Sequence, residues 1–172
     1  DTAYAPEYGS DHNAADARAL IDELGLEQLA IIGFSMGGIT AIHLASDQPE
    51  RVERLVLVDV GPEVNPAGAQ GLRATVSQAR DTFAGREEAL AYIRLANPRR
   101  SEELVEASLK HAFRALPDGS FQLKYDPRLR QGMGHQPRPG AELWERVERI
   151  TCPTLIVRGG ESSQFMEETG LR

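Results

Sequence analysis

Leu29 to Asp59 reads LAIIGFSMGGITAIHLASDQPERVERLVLVD, and the architecture of the chain follows from it. Leu29–Phe34 is a short apolar run after a turn, the pattern of a buried strand. A helix is predicted from Met36 to Asp47, where Pro49 stops it. Leu55–Asp59, LVLVD, is a second buried strand of branched residues. Strand, helix and strand with short links form a βαβ unit, so the two strands are expected to run parallel with a right-handed crossover.

Upstream, Ser10–Leu24 reads as a helix with Ala17, Leu20, Ile21 and Leu24 on one face. Ser10 or Asp11 is placed to cap its start, and Gly25 falls just past its end. Downstream of Asp59 the character changes. Gly61, Pro62 and Pro66 mark a loop. From there to about Arg130 the chain reads as helical and polar, with helices over 68–83, 86–96 and 101–116. LPDGSF is a turn with Asp118-Gly119 at its tip, and QGMGHQPRPG is a loop. A last amphipathic helix carries Leu143, Val147 and Ile150, then leads through Thr151-Cys152-Pro153 into TLIVRGG, a third buried strand. The predicted organisation is an α/β core over 1–60, a mostly helical insertion over 61–140, and a return to the core over 141–172.

Composition narrows the function classes. The 172 residues carry 19 Lys+Arg against 26 Asp+Glu, a formal net charge of −7. Such an acidic chain is a poor match for a phosphate backbone, so no nucleic-acid partner is expected. No apolar run approaches the roughly 20 residues that cross a bilayer, so no membrane partner is expected either. The single cysteine, Cys152, rules out an internal disulfide, reads as a buried thiol, and suits a reducing compartment, the cytoplasm. The four histidines share no metal-ligand spacing, so neither metal nor cofactor is expected. The chain opens on Asp1 and stops within GESSQFMEETGLR, a loop and the start of a helix. It is therefore expected to be a piece of a larger protein.

Gly33-Phe34-Ser35-Met36-Gly37 has the form Gly-x-Ser-x-Gly between a strand and a helix, the nucleophile elbow. There the chain reverses within a few residues and the serine stands at the apex. Gly33 and Gly37 are expected where side chains would clash with neighbouring backbone, and Gly38 where the helix nears the sheet. The turn lifts the Ser35 hydroxyl above the carboxyl ends of the strands, where open α/β sheets place their sites. It also aims the Met36 N–H, at a helix N-terminus, towards a developing oxyanion.

On IIGFSMGG, DQPERVERLVLVD, YDPRL and WERVERITCPTLIVRGG, the sequence resembles the α/β-hydrolase fold family over essentially its whole length. The implied fold class is α/β: a partial hydrolase core of parallel strands with flanking helices, and a helical cap. The resemblance also implies the chain order serine, carboxylate, histidine. Two carboxylates compete: Asp59, at the end of the strand after the elbow helix, and Glu161, in the loop after TLIVRGG. Many family members carry an aspartate in that later loop, where this chain has Glu161-Ser162-Ser163; a subset resembling VDVGP uses the earlier aspartate, which favours Asp59. The family's histidine follows the last core strand, beyond Arg172. His12, His43 and His111 do not occupy that place, and His135 lies in the Gly/Pro-rich loop. His43 is expected to be packed and His111 exposed, with Trp144 in the core. The second oxyanion donor of the family is likewise expected upstream of this chain.

The function implied is a serine hydrolase acting on a small-molecule ester, or on a related acyl or carbon–carbon bond, through an acyl-enzyme on Ser35. By itself the chain is expected to have little activity. The GFSMGG elbow also resembles that of cofactor-free haloperoxidases, which form peracids. A binding module of hydrolase fold with little turnover is the alternative of another class.

Overall fold

The computed structural model describes residues 8–77, 79–129, 140–165 and 167–170. The chain forms two compact units, Asp1–Ala74 with Gly132–Arg172, and Thr75–Gln131.

The first unit is built on a parallel sheet of β1 (Leu29–Phe34), β2 (Val52–Val58) and β6 (Thr154–Val157), in the order β1-β2-β6. The register sets Ile32 beside Val56 beside Leu155, and Phe34 beside Val58 beside Val157. Side chains alternate across a strand, so Leu55 and Leu57 face the other side. On that side helix α2 (Met36–Asp47) lays Ala41, Ile42 and Ala45 against them, and Leu143 of α6 (Ala141–Val147) completes the core. The opposite face is open in this chain: Ile32 is 76% exposed, Phe34 66% and Leu155 58%. The expectation of three buried strands therefore fails for β1 and β6. Only β2 is central, and no described helix covers the second face of the sheet.

Helix α1 (Ser10–Glu23) packs beside α2. Its N-cap is Gly9, without a side-chain cap, so neither Ser10 nor Asp11 caps it. Gly25 follows the helix with φ +64°, a left-handed conformation natural for glycine at a helix end. The docking face takes in only half of the predicted apolar stripe: Ala14 is buried and Ala17 and Ile21 are half-buried, whereas Leu20 and Leu24 are exposed. A small residue lets two helices approach closely, and the longer leucines point away from α2. Cys152 is half-buried against the core rather than fully enclosed.

Polar contacts tie the helical layer together. Arg146 of α6 donates to Asp47 Oδ1 at 2.7 Å and to Ser46 Oγ at 3.4 Å, both on α2, and lies 3.7 Å from Asp11 of α1. Arg51 donates to Asp22 Oδ1 at 2.5 Å and to the Leu26 carbonyl at 2.6 Å, pinning the end of α1 to the turn before β2.

The insertion, predicted as mostly helical, also carries strands, which lie in the second unit. Helix α3 (Pro66–Ser77) ends before Phe83, which lies in β3 (Thr82–Phe83). Helices α4 (Arg86–Ala96) and α5 (Glu102–Ala112) follow, the latter capped by the Ser101 hydroxyl. The chain then enters β4 (Phe113–Ala115) and β5 (Phe121–Leu123), which form an antiparallel sheet in the order β3-β5-β4. The turn at Asp118-Gly119 joins β4 to β5, with Gly119 at φ +84° and Asp118 accepting from the Ser120 N–H and hydroxyl. Strands of two or three residues give too short an alternation to be told from a helix end. Phe83, Leu90, Ile93, Val105, Leu109 and Phe113 form this unit's core. The Phe83 ring lies 4.8 Å from Tyr92 and 5.4 Å from Phe113, tilted and edge-on, as aromatic quadrupoles prefer.

The shifted docking face of α1 makes a testable difference. Leu20→Ser should change stability by no more than about 0.5 kcal/mol, the usual range at an exposed site. Ala14→Leu should cost about 1–3 kcal/mol by overpacking the α1–α2 contact. Chemical denaturation of the two variants beside the parent checks both.

Candidate active site

Ser35 stands between β1 and α2 with φ 51° and ψ −122°. Asp59 directly follows β2 with φ 53°. Among the described residues these are the two non-glycine positions with positive φ. Such conformations cost about 1–3 kcal/mol and persist where the surrounding structure enforces them. Here the enforcement is visible. The Ser35 N–H donates to the Val58 carbonyl at 3.3 Å, and the Asp59 N–H donates to the Val157 carbonyl at 2.7 Å. The ladder of the three strands thus continues one step beyond their carboxyl ends and carries both residues with it.

Sterics at two glycines set the elbow. A Cβ on Gly33 would lie 2.6 Å from the Gly38 Cα, 2.7 Å from the Gly37 carbonyl oxygen and 2.9 Å from the Ala41 Cβ. A Cβ on Gly38 would lie 2.2 Å from Val60 Cγ1. Gly38 therefore admits the residue after Asp59, and the position of the carboxylate depends on it. Gly37 differs from the expectation: a Cβ there meets nothing within 4 Å among the described residues.

Ser35 is exposed. Met36 opens α2, so its N–H precedes the intrahelical ladder and points out of the helix end with the positive end of the dipole. The Asp59 carboxylate is half-buried and accepts from the Gly159 N–H at 3.2 Å, in the loop after β6. Glu161 lies in the same loop, exposed, within the turn closed by the Ser162 N–H on the Gly159 carbonyl at 3.0 Å. The loop is anchored on the other side by Phe165, 2% exposed. A Cβ on Gly61 would lie 2.4 Å from Phe165 Cε2, and one on Gly68 would lie 1.9 Å from the Ser163 carbonyl oxygen.

The histidines stand elsewhere in the fold. His43, on α2 two turns from Ser35, is buried with Nδ1 3.0 Å from Asp11 Oδ1. Burial, aided by the Arg146 guanidinium, pushes its pKa below the ordinary histidine value against the pull of Asp11, Asp47 and Glu142. His12 lies exposed on the first turn of α1, and His111 is exposed at the end of α5. His135 lies outside the described residues. Among the described residues, no group of three His, Cys, Asp or Glu side chains could hold a metal ion, and no helix is long and apolar enough to cross a membrane.

A serine at the apex of a strand–helix turn, strained and sterically enforced, is the elbow of a known fold, and the family model described as alpha/beta hydrolase fold matches residues 1–163. The chain belongs to the alpha/beta hydrolase fold family. It is 33% identical to the 3-hydroxybutyrate-oligomer hydrolase of Cupriavidus necator over 95% of this chain and 58% of that protein. It is 32% identical to an esterase of Mycobacterium tuberculosis, Rv0045c, over 94% of this chain and 53% of that protein. Among solved structures, an alpha/beta hydrolase from Novosphingobium aromaticivorans superposes with a TM-score of 0.79 at 27% identity, over 98% of this chain and 62% of that one. The chain thus spans little more than half the length of the curated relatives it matches.

Sequence reasoning missed three contributors. Val60 is the neighbour that makes Gly38 obligatory, and Gly159 supplies the donor to Asp59. Glu63 accepts from Trp144 Nε1 at 2.9 Å and from the Thr169 hydroxyl at 3.4 Å, so Trp144 is half-buried with a polar anchor rather than enclosed in apolar core. The local signal that could have found Gly159 is the Gly-Gly pair that follows the strand.

Gly38→Ala should destabilise the chain by about 1–3 kcal/mol through overpacking on Val60, with Gly37→Ala costing clearly less; thermal unfolding of both variants ranks them. For His43, a folded-state pKa below the unfolded one means that the folded protein binds fewer protons. The associated stability is present above the unfolded value of about 6.5 and is lost as pH falls through the folded pKa. The melting temperature should therefore drop between pH 7 and pH 5.5, and drop less in His43→Gln.

Proposed function

We propose that this chain carries the nucleophile, the orienting carboxylate and one oxyanion donor of a serine hydrolase acting on carboxylic esters. The observation that carries the reading is the pairing of strain: Ser35 and Asp59, at the ends of adjacent strands, are the described non-glycine residues held at positive φ. Ser35 Oγ attacks the ester carbonyl while a histidine takes its proton. The Met36 N–H stabilises the oxyanion of the tetrahedral intermediate. The histidine then protonates the departing alcohol, leaving an acyl group on Ser35. Water, deprotonated by the same histidine, releases the acid and restores the serine. Asp59 holds that histidine in the tautomer that can accept the proton. The hydrogen bond from Gly159 to Asp59, with Glu161 exposed at the turn, supports Asp59 over Glu161 as this carboxylate.

The names of the relatives, a 3-hydroxybutyrate-oligomer hydrolase and an esterase, support an ester as the bond cleaved. The family resemblance puts the histidine beyond Arg172, which makes it part of a longer protein. The helical insertion over 61–140 is proposed as the cap domain of the family, and the substrate as a small molecule.

In the full-length protein, Ser35→Ala should abolish p-nitrophenyl butyrate hydrolysis, and Asp59→Asn should lower kcat about 10⁴-fold, whereas Glu161→Gln should leave it near the parent value. The 172-residue chain alone should be slower than the full-length protein by about 10⁴-fold or more. Equal rates for the two, or a larger loss in Glu161→Gln than in Asp59→Asn, would sink the assignment.

A further inference from the structure

The loop between β6 and α7 (Glu167–Gly170) is held by one guanidinium. Arg158 Nε donates to the Phe165 carbonyl at 2.9 Å, and Nη2 donates to the Ser162 carbonyl at 3.3 Å. The Ser162 hydroxyl accepts from the N–H groups of Gln164 and Phe165, each at 3.2 Å. Outside the loop, the Asn65 N–H donates to the Gln164 carbonyl at 2.8 Å, and Gln164 Nε2 donates to the Gly68 carbonyl at 2.8 Å. Phe165 seats against Gly61, two residues after Asp59. The segment after β6 is thereby locked to the segment after β2 along its length. Its first residue past Arg158 is Gly159, whose N–H meets the Asp59 carboxylate at 3.2 Å.

We propose that Arg158 is a positioning residue for Asp59: it staples the loop so that the Gly159 N–H holds one carboxylate oxygen and leaves the other to orient the histidine. This rests on the reading of Asp59 as the triad carboxylate. The physical argument is one of pre-organisation. Asp59 is half-buried at a left-handed backbone position, and a single backbone donor fixes its side-chain rotation. That donor stands on a glycine pair, Gly159-Gly160, which has no side chains of its own and is tied to the loop through the Ser162 N–H on the Gly159 carbonyl at 3.0 Å, so it is only as fixed as Ser162. An arginine gripping two carbonyls with its planar fork supplies the missing rigidity. A loop free to shift by about 1 Å loses much of the advantage of a fixed geometry.

The test is a double-mutant cycle in the full-length protein with p-nitrophenyl butyrate as the probe. Arg158→Gln should lower kcat about tenfold or more, the size expected when a hydrogen bond to a charged group is weakened, with KM within about twofold. Arg158→Lys should recover part of the loss. In the Asp59→Asn background, Arg158→Gln should have no further effect on kcat, because residues acting as a unit are not additive. The same loss in both backgrounds makes Arg158 merely structural and overturns the proposal, as does an unchanged kcat in Arg158→Gln. Full activity in Asp59→Asn overturns the reading of the carboxylate and this inference with it. That outcome is distinct from failure of the inference alone, in which Asp59→Asn is crippled while Arg158→Gln is silent or additive. If Arg158→Gln does not fold, Ser162→Ala loosens the same loop, and the same outcomes decide.

Discussion

The close approach of α2 to the strand ends is the constraint on which the rest of this unit depends. Hydrogen atoms at the Cα of Gly33 and Gly38 permit it; a methyl group at either place would fall within 2.6 Å of a neighbouring atom. Given that approach, the chain must turn at Ser35 through a conformation that residues with a side chain seldom adopt. Val60 then closes on Gly38, and the residue before it, Asp59, is brought to the same edge of the sheet as the serine. Two strained residues are tolerable because each donates its backbone N–H to the next strand over, to Val58 and Val157.

Around this edge the polar groups divide into two sets. Those on the helical layer hold the scaffold: Arg146 joins α6 to α2, and His43 is buried against Asp11. Their chemistry is kept away from Ser35 by about two helical turns. Those on the loops hold the site: Arg158, Ser162 and Gln164 bind backbone carbonyls and N–H groups of the segments that follow β2 and β6. The loops carry no regular secondary structure of their own, so side chains satisfy the backbone groups that a ladder would otherwise pair.

The open sheet face has a physical consequence for the isolated chain. Ile32, Phe34, Leu155 and Val157 form a contiguous apolar surface on a three-stranded sheet. Apolar surface of this kind is a recognised route to association. The chain spans little more than half the length of the curated relatives it matches.

The sequence by itself determined the βαβ unit, the elbow serine, the parallel pairing and the family. These follow from local facts: a branched apolar run, a glycine-spaced serine and a proline stop all act within a few residues of one another. It also brought the choice of carboxylate within the chain down to Asp59 and Glu161, with the resemblance of VDVGP favouring Asp59, but it gave no donor to hold either acid. Tertiary structure decided what depends on distant neighbours. It turned Ala14 rather than Leu20 towards α2, made Gly38 rather than Gly37 the steric necessity, paired Phe113–Ala115 with Phe121–Leu123, and set the Gly159 N–H on Asp59. Which atom meets which, across 100 residues of sequence in the case of Gly159 and Asp59, is fixed by the register of strands and the seating of loops. Neither is written in any single stretch of the chain.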